Sequence, residues 1–304
     1  MASSLARNPL VLSLSLLLLL PSFLLGSSAA ALSYHRGPIL TGNVNLTILW
    51  YGQVGRVHKN AIRTFIKSLN YNGNVNFEPR VSNWWHLVES YQSAARRNMR
   101  SSPRIRVQVV RQVTDATFSA GKIITQDFLP GLIQKATGGN RETVAVIFSA
   151  KDVTVQGQCE GKCAQHGVIG RQVYITVGNP ESACPEACAW PFHKAKRGPQ
   201  GVTLQPPSGN VGADAMVINF ASALVSTVTN PYNTGFYEEP RTNPIEAGTA
   251  CPGQFGSGAF PGYTGKVRVD PASGGGFNAH GVRGKKFLLP AIWNPKTSSC
   301  WTIM

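Results

Sequence analysis

The first half of the chain alternates between short hydrophobic runs and segments whose hydrophobic residues recur every three or four positions. The runs have the length and the β-branched and aromatic content of strands that are buried in a sheet. They predict strands at residues 46–51, 104–110, 143–148 and 173–177. In the strand at 104–110, basic or polar residues alternate with hydrophobic ones, which indicates that one face of this strand is exposed.

The segments with helical spacing predict three helices between these strands. The first helix covers residues 56–69 and the third covers residues 124–136. The second has Ser82 or Asn83 as its N-cap and continues through Tyr91. The third helix is expected to bend or restart at Pro130 and to end at Gly138 and Gly139, because proline disrupts a helix interior and glycine favours a helix end. Helices between hydrophobic strands predict an α/β fold, here a single mixed-sheet domain.

The second half, from Cys159 onward, is rich in glycine and proline and contains one firmly helical segment. Residues 214–229 are hydrophobic on nearly all sides, which predicts a central, buried helix. The other segments contain too much glycine for helices, and we expect ordered loops there. All six cysteines lie in this half: Cys159, Cys163, Cys184, Cys188, Cys251 and Cys300. The sequence therefore predicts a loop-rich C-terminal half that is braced by disulfides.

The beginning of the chain has the order of a secretory signal peptide: Arg7, the apolar residues 10–25 and the small residues 26–31. We expect residues 1–30 to be removed and residues 31–304 to form the mature domain. The apolar run is interrupted by serines and a proline and is too short to span a membrane comfortably. The expected location is the extracellular space, without a membrane span.

An even number of cysteines in an exported chain is typical of disulfides. The six cysteines allow fifteen pairings, and the sequence does not choose among them. The two C-x-x-x-C spacings, at Cys159 and Cys163 and at Cys184 and Cys188, leave a zinc site as the alternative. Zinc sites of this kind usually have a two-residue gap and reduced thiols, so three structural disulfides are favoured.

The chain is strongly basic, with 29 lysines and arginines against 14 acidic residues. Arg7 is the only charged residue among residues 1–30, so the mature chain has a net charge near +14. Such an excess often indicates a nucleic-acid partner, but an exported protein does not ordinarily meet one. The densest cluster is the candidate docking surface, and it consists of Arg96, Arg97, Arg100, Arg104, Arg106 and Arg111. The alternative is that these are scattered, solvated charges.

A glycosylation site is predicted at Asn45, in the sequon Asn45-Leu46-Thr47. This asparagine stands at the entrance of the first predicted strand, where its side chain could face solvent. Aromatic residues in the loops are candidates for carbohydrate contact, although they could equally belong to the core. They are Trp190, Phe192, Phe260 and Tyr263.

Several motifs occur in a fixed order along the chain. They are VNLTILWYG at 44–52, CAWPFH at 188–193, VTNPY at 228–232, ACPGQFGSGAFPGY at 250–263 and NAHGVRGKKFLLPAIWNP at 278–295. Together they resemble the EXORDIUM or phosphate-induced protein family of plants over nearly the whole mature chain. The resemblance implies an apoplastic protein linked to brassinosteroid-responsive growth and cell expansion, in a family without a settled biochemical activity. In the plant cell wall the abundant polyanion is pectin.

The buried helix also resembles a zinc-peptidase helix of secreted microbial relatives, HELAEAVTDP, which is followed by EIGDKC. In such a helix, two metal ligands four residues apart face the same side. The overlay places the two ligand positions at Ser222 and Ser226 and the catalytic glutamate at Ala223; EIGDKC resembles residues 246–251, with Thr249 where an aspartate stood. A hydroxyl is a poor zinc ligand and alanine cannot act as a base, so the resemblance implies a zincin-like scaffold without its metal site.

Hydrolase chemistry stays open as the alternative function. A metallopeptidase with displaced ligands would need His193 and His280 to meet Asp214 or Glu246. A glycosidase acting on wall components would need two close carboxylates, and the nearest approach to a cluster is Glu238, Glu239 and Glu246. A purely structural wall component is a third class, but the chain lacks the repeats that such proteins have.

The sequence favours a secreted, non-enzymatic protein of the apoplast. We expect it to bind an anionic wall polysaccharide or an extracellular protein, without a cofactor and without nucleic acid. We assign no catalytic residue and no metal ligand. Binding to a polyanion through exposed charges should weaken as salt rises, because salt screens such attraction.

Overall fold

The computed structural model of this chain describes residues 32–73, 77–96, 101–194 and 203–303. The predicted signal peptide at residues 1–30 lies outside these ranges. Arg97 and Arg100 of the predicted docking surface lie outside them as well.

Helices and strands alternate through the first half, and short strands dominate the second. The helices are α1 Arg56–Leu69, α2 Val81–Ala95, α3 Leu129–Thr137, α4 Pro185–Cys188 and α5 Val211–Thr229, with 3-10 turns at Gln126–Phe128 and Val282–Gly284. The longer strands are β2 Asn43–Tyr51, β3 Arg106–Asp115, β5 Val144–Ser149, β7 Ala164–Ile169 and β8 Gln172–Val177. The short strands are β1 Ser33–Tyr34, β4 Ile123–Ile124, β6 Thr154–Val155, β9 Phe236–Glu238, β10 Ile245–Glu246, β11 Arg268–Val269, β12 Gly276–Phe277, β13 Ala279–His280, β14 Lys286–Phe287, β15 Ile292–Asn294 and β16 Ser299–Trp301.

The five longer strands form one mixed sheet in the order β3-β2-β5-β8-β7. Strands β3, β2, β5 and β8 run parallel, and the edge strand β7 is antiparallel to β8. Helices α1 and α5 pack together on one face of the sheet. Helix α3 covers the other face, where Lys135 of α3 forms an ion pair with Asp115 at the end of β3. The predicted α/β fold with a mixed sheet is confirmed.

Burial explains why these segments form strands and helices. Every residue of β5 and β8 is buried, as expected for parallel strands that are covered on both faces. Helix α1 buries Ile62, Phe65, Ile66 and Leu69 toward the core and turns its charged residues to solvent. Phe65 makes edge contacts with Trp84 of α2 and Phe220 of α5, so the three helices share one aromatic core.

Two helix starts differ from the sequence prediction. Helix α2 begins at Val81 rather than after a Ser82 or Asn83 cap, and Ser82 is buried within its first turn. Helix α3 begins at Leu129 rather than at Ile124, because Ile123 and Ile124 form strand β4, which pairs with β6. The predicted end of α3 is confirmed, since its C-cap Gly138 has a φ of 63°, in the left-handed region that favours glycine.

Two strands also differ from the prediction. Strand β3 extends to Asp115, five residues beyond the predicted end, because it pairs with β2 along its whole length. A register shift next to Val110 interrupts the alternation that would have indicated the longer strand. Strand β7 was not predicted at all, because its sequence AQHGVI is half-buried throughout and has no clear alternation.

Helix α5 is the central, buried helix that the sequence predicts, and it begins three residues earlier, at Val211. The side chain of Asn210 caps it by accepting the backbone N–H of Ala213 at 2.8 Å. By length and composition alone, this helix qualifies as a candidate membrane span, which the sequence analysis did not predict. It packs against α1, β7 and β8. Of its most apolar stretch of 18 residues, 89% is buried in the protein, so α5 is a core helix.

The six cysteines form three disulfides: Cys159–Cys184, Cys163–Cys188 and Cys251–Cys300. The first two lie side by side and connect residues 159–163 to the region of helix α4. Cys184 is the residue before α4, and Cys188 is its last residue. The third connects the 251 loop to β16. Each cysteine of the first C-x-x-x-C pair is therefore bonded to one cysteine of the second. The prediction of disulfide bonds is confirmed.

The glycine-rich loops are ordered by a buried side chain and a small core. The amide of Asn278 donates to the carbonyls of Phe255 and Leu289, and its oxygen accepts the N–H of Leu289. A second hydrophobic cluster fills the space below these loops, and it consists of Ala189, Phe192, Ala215, Ile218, Phe255 and Leu288. The loops are thus held by hydrogen bonds and packing as well as by disulfides.

Candidate functional site

The exposed face of helix α1 carries a row of positive charges. Arg56, Arg63 and Lys67 are exposed and Lys59 is half-buried. Residues spaced by three or four positions lie on the same side of a helix, so these four side chains form one row. The sequence of α1, RVHKNAIRTFIKSL, contains no acidic residue that could neutralise them.

Two clefts flank α1 and meet over its exposed face. The first, of about 650 Å³, lies between α1, the first turn of α5 and β14. The second, of about 590 Å³, lies between α1 and the edge strand β3. Asn60, Arg63 and Thr64 line both clefts. The two clefts therefore form one continuous depression, which we call the α1 groove.

Positive charges dominate the α1 groove. Arg56 and Lys285 line the first cleft, Lys67 lines the second, and Arg63 lies where the two meet. Within the part of the chain that the structure describes, no salt bridge connects these four side chains to a carboxylate. An anion in the groove would therefore not have to displace an acidic side chain from them.

Two further charged residues of the first cleft contribute differently. Lys286 forms an ion pair with Asp270, with Nζ and Oδ1 2.5 Å apart, so its charge is largely neutralised. Asp214 is an acidic side chain that lines this cleft, and it is buried at the start of α5. Burial raises the pKa of the Asp214 carboxyl to about 6, although hydrogen bonds from Ser208 oppose the shift.

The docking surface predicted from the sequence does not coincide with the α1 groove. Arg104 lies beside His86 and Glu89 on α2. The side chain of Arg111 lies close to Gly138, which places it on the α3 side of the sheet. Arg106 is exposed at the start of β3, and Arg96 follows the end of α2. That these arginines form one docking surface stays a prediction.

The positions overlaid on a zinc site do meet in space, but they carry no metal-binding chemistry. Gly248 packs directly on the backbone of Ser222 and against the hydroxyl of Ser226, so the turn at 246–249 lies on this face of α5. The buried hydroxyl of Ser226 has no hydrogen-bond partner among the described residues. Those residues also contain no group of three or more His, Cys, Asp or Glu side chains that could hold a metal. The zincin-like interpretation is therefore unsupported.

A buried polar cluster lies near that turn, and the sequence did not indicate it. His166 on β7 and Glu246 on β10 are 2.8 Å apart, and both side chains are almost completely buried. The amide of Asn230, which follows α5, donates to the same carboxylate at 2.7 Å. The oxygen of Asn230 in turn accepts the N–H of Gly235. These contacts connect the edge strand, the end of α5 and β10.

The other residues considered for hydrolysis are dispersed. Asp214 lies in the first turn of α5, whereas Glu246 contacts Asn230 at the opposite end of that helix. His193 bonds to the neighbouring carbonyl of Lys194, and His280 packs between Phe77 and Phe277. Glu239 is exposed and accepts the N–H of Arg241. The structure does not assemble these side chains into one site.

One of the four loop aromatics is exposed, two are half-buried and one is buried. Phe260 is 59% exposed and lies beside the ring of Tyr263, with centroids 5.1 Å apart. Phe192 is buried in the small core, and Trp190 is half-buried against Phe255. The four therefore do not form a single aromatic platform.

The predicted glycosylation site is at the start of the sheet. Asn45 is half-buried on β2, and its side-chain oxygen accepts a hydrogen bond from Gln108 on β3. Thr47 of the sequon is buried, with its hydroxyl near the carbonyl of Val144. A glycan on Asn45 stays a prediction.

The fold and the groove define a class of protein: a disulfide-bonded α/β protein with a basic groove on one face. The family model described as phosphate-induced protein 1 conserved region matches residues 32–303. The chain is 41% identical to Protein EXORDIUM-like 2 of Arabidopsis thaliana, over 92% of this chain and 94% of the relative. It is 40% identical to Protein EXORDIUM of Arabidopsis thaliana, over 90% of this chain and 89% of the relative.

A tobacco relative agrees with this assignment. The chain is 38% identical to Protein PHOSPHATE-INDUCED 1 of Nicotiana tabacum, over 90% of this chain and 88% of that protein. The chain therefore belongs to the EXORDIUM or phosphate-induced protein family of plants, as its motifs predict. No solved structure matches it significantly.

The α1 groove was not predicted from the sequence because the densest cluster of arginines lies elsewhere, between Arg96 and Arg111. The signal was nevertheless present in the helix pattern of α1, whose basic residues fall on one face without an acidic neighbour. Lys285 could not be assigned to the same site, since it is more than 200 residues away along the chain and joins the groove only in the folded protein.

Proposed function

We propose that this protein is a secreted, non-enzymatic protein of the plant apoplast that binds an anionic component of the cell wall. Through this binding it takes part in brassinosteroid-dependent growth and cell expansion. The observation that carries the proposal is the row of Arg56, Arg63 and Lys67 on α1, exposed between two open clefts and free of salt bridges to the described carboxylates. Such a surface favours an anionic partner.

Secretion is supported by the cysteines and by the beginning of the chain. Three disulfides are typical of proteins that fold in an oxidising compartment. Residues 1–30 have the order of a signal peptide. In plant cells we expect the mature chain in the wall fluid, beginning near residue 31. Retention inside the cell with an intact N-terminus would contradict secretion.

A non-enzymatic role is supported by the separation of the side chains considered for hydrolysis. Asp214 and Glu246 lie at opposite ends of α5, while His193 bonds to the neighbouring carbonyl of Lys194 and His280 packs against Phe77. The link to growth rests on membership of the family. Plants that lack the protein should elongate less in response to brassinosteroid, and the wild-type gene should restore the response.

Binding is tested with the mature, disulfide-bonded protein on immobilised polygalacturonate, with a neutral glucan as the control matrix. We expect retention on polygalacturonate only, and we expect it to weaken steeply between about 50 and 200 mM salt because exposed charge attraction is screened. Equal retention on both matrices, or no retention on polygalacturonate at low salt, would overturn the proposal of an anionic wall partner. Selective capture of an extracellular protein in place of the polysaccharide would also do so.

A further inference from the structure

We propose that the α1 groove is the binding site and that it holds a linear polysaccharide of uronic acids. The polysaccharide would run obliquely along α1, from Arg56 and Lys285 in the first cleft, past Arg63, to Lys67 in the second. This inference rests on the proposed function and deepens it, since it assigns the site and the form of the anion.

The spacing of the cations indicates an extended anion. Arg56 and Lys67 are eleven residues apart on one helix, which corresponds to about 16 Å along its axis. Arg63 stands between them, one turn from Lys67 and two turns from Arg56. Cations that hold a compact anion converge on one point, whereas these are spread along a path. An anion with regularly repeated charges matches that arrangement.

The neutral groups of the groove indicate a sugar backbone between those charges. Asn60 and Thr64 lie at the junction of the clefts, and Gln108 and Gln112 of β3 form the far wall of the second cleft. Amide and hydroxyl groups can both donate and accept hydrogen bonds, as sugar hydroxyls do. Val57 is 50% exposed in the first cleft and offers an apolar surface to a sugar ring. Carboxylates and hydroxyls would thus both find partners.

The predicted glycosylation site and a paired lysine both border the groove. The side-chain oxygen of Asn45 accepts a hydrogen bond from Gln108, which lines the second cleft, so a glycan on Asn45 would lie beside this end of the groove. Lys286 is not expected to contribute strongly, because Asp270 already neutralises it. The site therefore reduces to four cations: Arg56, Arg63, Lys67 and Lys285.

The test compares two triple variants of the mature, disulfide-bonded chain that lose equal charge. The site variant is Arg56→Gln/Arg63→Gln/Lys67→Gln. The matched control is Arg141→Gln/Arg171→Gln/Arg241→Gln, which changes exposed arginines that line neither cleft of the groove. All six side chains are exposed, so both variants should unfold at the same guanidinium concentration as the wild type.

We expect the site variant to bind polygalacturonate at least tenfold more weakly than the wild type and with a shallower salt dependence. The control should bind within about twofold of the wild type, because only contacts within a Debye length of about 10 Å contribute strongly. Equal weakening in both variants would show that the whole surface binds and would overturn the site. Unchanged binding in the site variant would overturn it as well. Absence of wild-type binding would instead refute the proposed function.

Oligomer length tests the extended path independently. Galacturonic acid oligomers of increasing length should bind more tightly until the chain spans the groove, about 16 Å along α1. The monomer should bind at least a hundredfold more weakly than the longest oligomer. If the monomer binds as tightly as the oligomers, the groove holds a compact anion and the proposed path is wrong.

Discussion

The imidazole Nε2 of His166 and the carboxylate of Glu246 lie 2.8 Å apart, and less than a tenth of either side chain is exposed. The two residues are separated by 80 positions and belong to strands of different sheets. Glu246 is also bonded to Asn230, so one buried carboxylate holds β7, β10 and the end of α5 together. This cluster is therefore expected to be important for stability.

Removing Glu246 should destabilise the fold strongly. A Glu246→Ala variant leaves His166 and Asn230 buried without their partner, and breaking a buried pair in this way costs about 3 to 5 kcal/mol. Guanidinium unfolding of the purified protein measures the change. Glu239→Ala is the control, since Glu239 is exposed and bonds only locally, and its cost should stay within about 0.5 kcal/mol. Equal midpoints for the two variants would contradict a stabilising role for the cluster.

The amide of Asn278 should be a second point of high sensitivity. Asn278→Ala leaves the N–H of Leu289 and the carbonyls of Leu289 and Phe255 without their buried partners. Leaving a buried polar group unsatisfied costs about 1 to 3 kcal/mol, so a total loss of about 3 kcal/mol is expected in chemical denaturation. Asn294→Ala is the comparison, because it loses one local bond, to the N–H of Lys296. The expectation fails if both variants are equally stable.

The stability of the protein should carry a signature of Asp214 between about pH 4 and pH 7. Burial raises the pKa of its carboxyl from 3.8 to about 6 in the folded state. The folded state therefore holds this proton more tightly than the unfolded state. The contribution to stability is fully present below about pH 4 and is lost as the pH rises through about 6, by about 3 kcal/mol in total.

The variant Asp214→Asn removes this titration and keeps an acceptor for the N–H of Ser208. We expect the free energy of unfolding of the wild type, minus that of the variant, to fall by about 2.5 kcal/mol from pH 4 to pH 7. Guanidinium unfolding at several pH values measures this difference. If this difference in unfolding free energy is constant or rises with pH, the pKa of Asp214 is not raised in the folded state and the prediction is wrong.

The three disulfides should not contribute equally. Cys251–Cys300 connects residues 49 positions apart, and loop entropy predicts a contribution of about 4 kcal/mol. Cys159–Cys184 and Cys163–Cys188 each connect residues 25 positions apart but close the same loop. When one of them is present, the other closes only about eight residues and contributes about 2.5 kcal/mol.

The variant Cys251→Ser/Cys300→Ser should therefore unfold at lower guanidinium concentration than Cys163→Ser/Cys188→Ser. Both variants lose one bridge and two sulfur atoms, so each serves as the other's control. The reverse order of midpoints would show that strain or residual structure outweighs loop entropy.

Local patterns of the sequence predicted much of the secondary structure. Helix α1 has the predicted bounds, Arg56–Leu69, because its hydrophobic residues recur at the helical period. Strands β5 and β8 agree within one residue, because completely buried strands are continuous hydrophobic runs. In these segments the local preference and the final environment favour the same structure.

Elements whose conformation depends on a distant partner were missed or misplaced. Ile124 was predicted to begin a helix, but together with Ile123 it pairs with β6, about 30 residues away. Strand β7 lacks an alternating pattern and is held by pairing with β8 and by the contact of His166 with Glu246. Tertiary pairing outweighs a weak local preference in both places.

The sequence by itself determined the α/β class, the family, the disulfide content of the C-terminal half and the excess of positive charge. These depend on composition, periodicity and motif order, which are local properties of the chain. Only the tertiary structure decided which cysteines pair, that Glu246 meets His166, and that Lys285 joins Arg63 in one groove. Residues far apart in sequence come together through the packing of the whole core, and no local pattern records those distances.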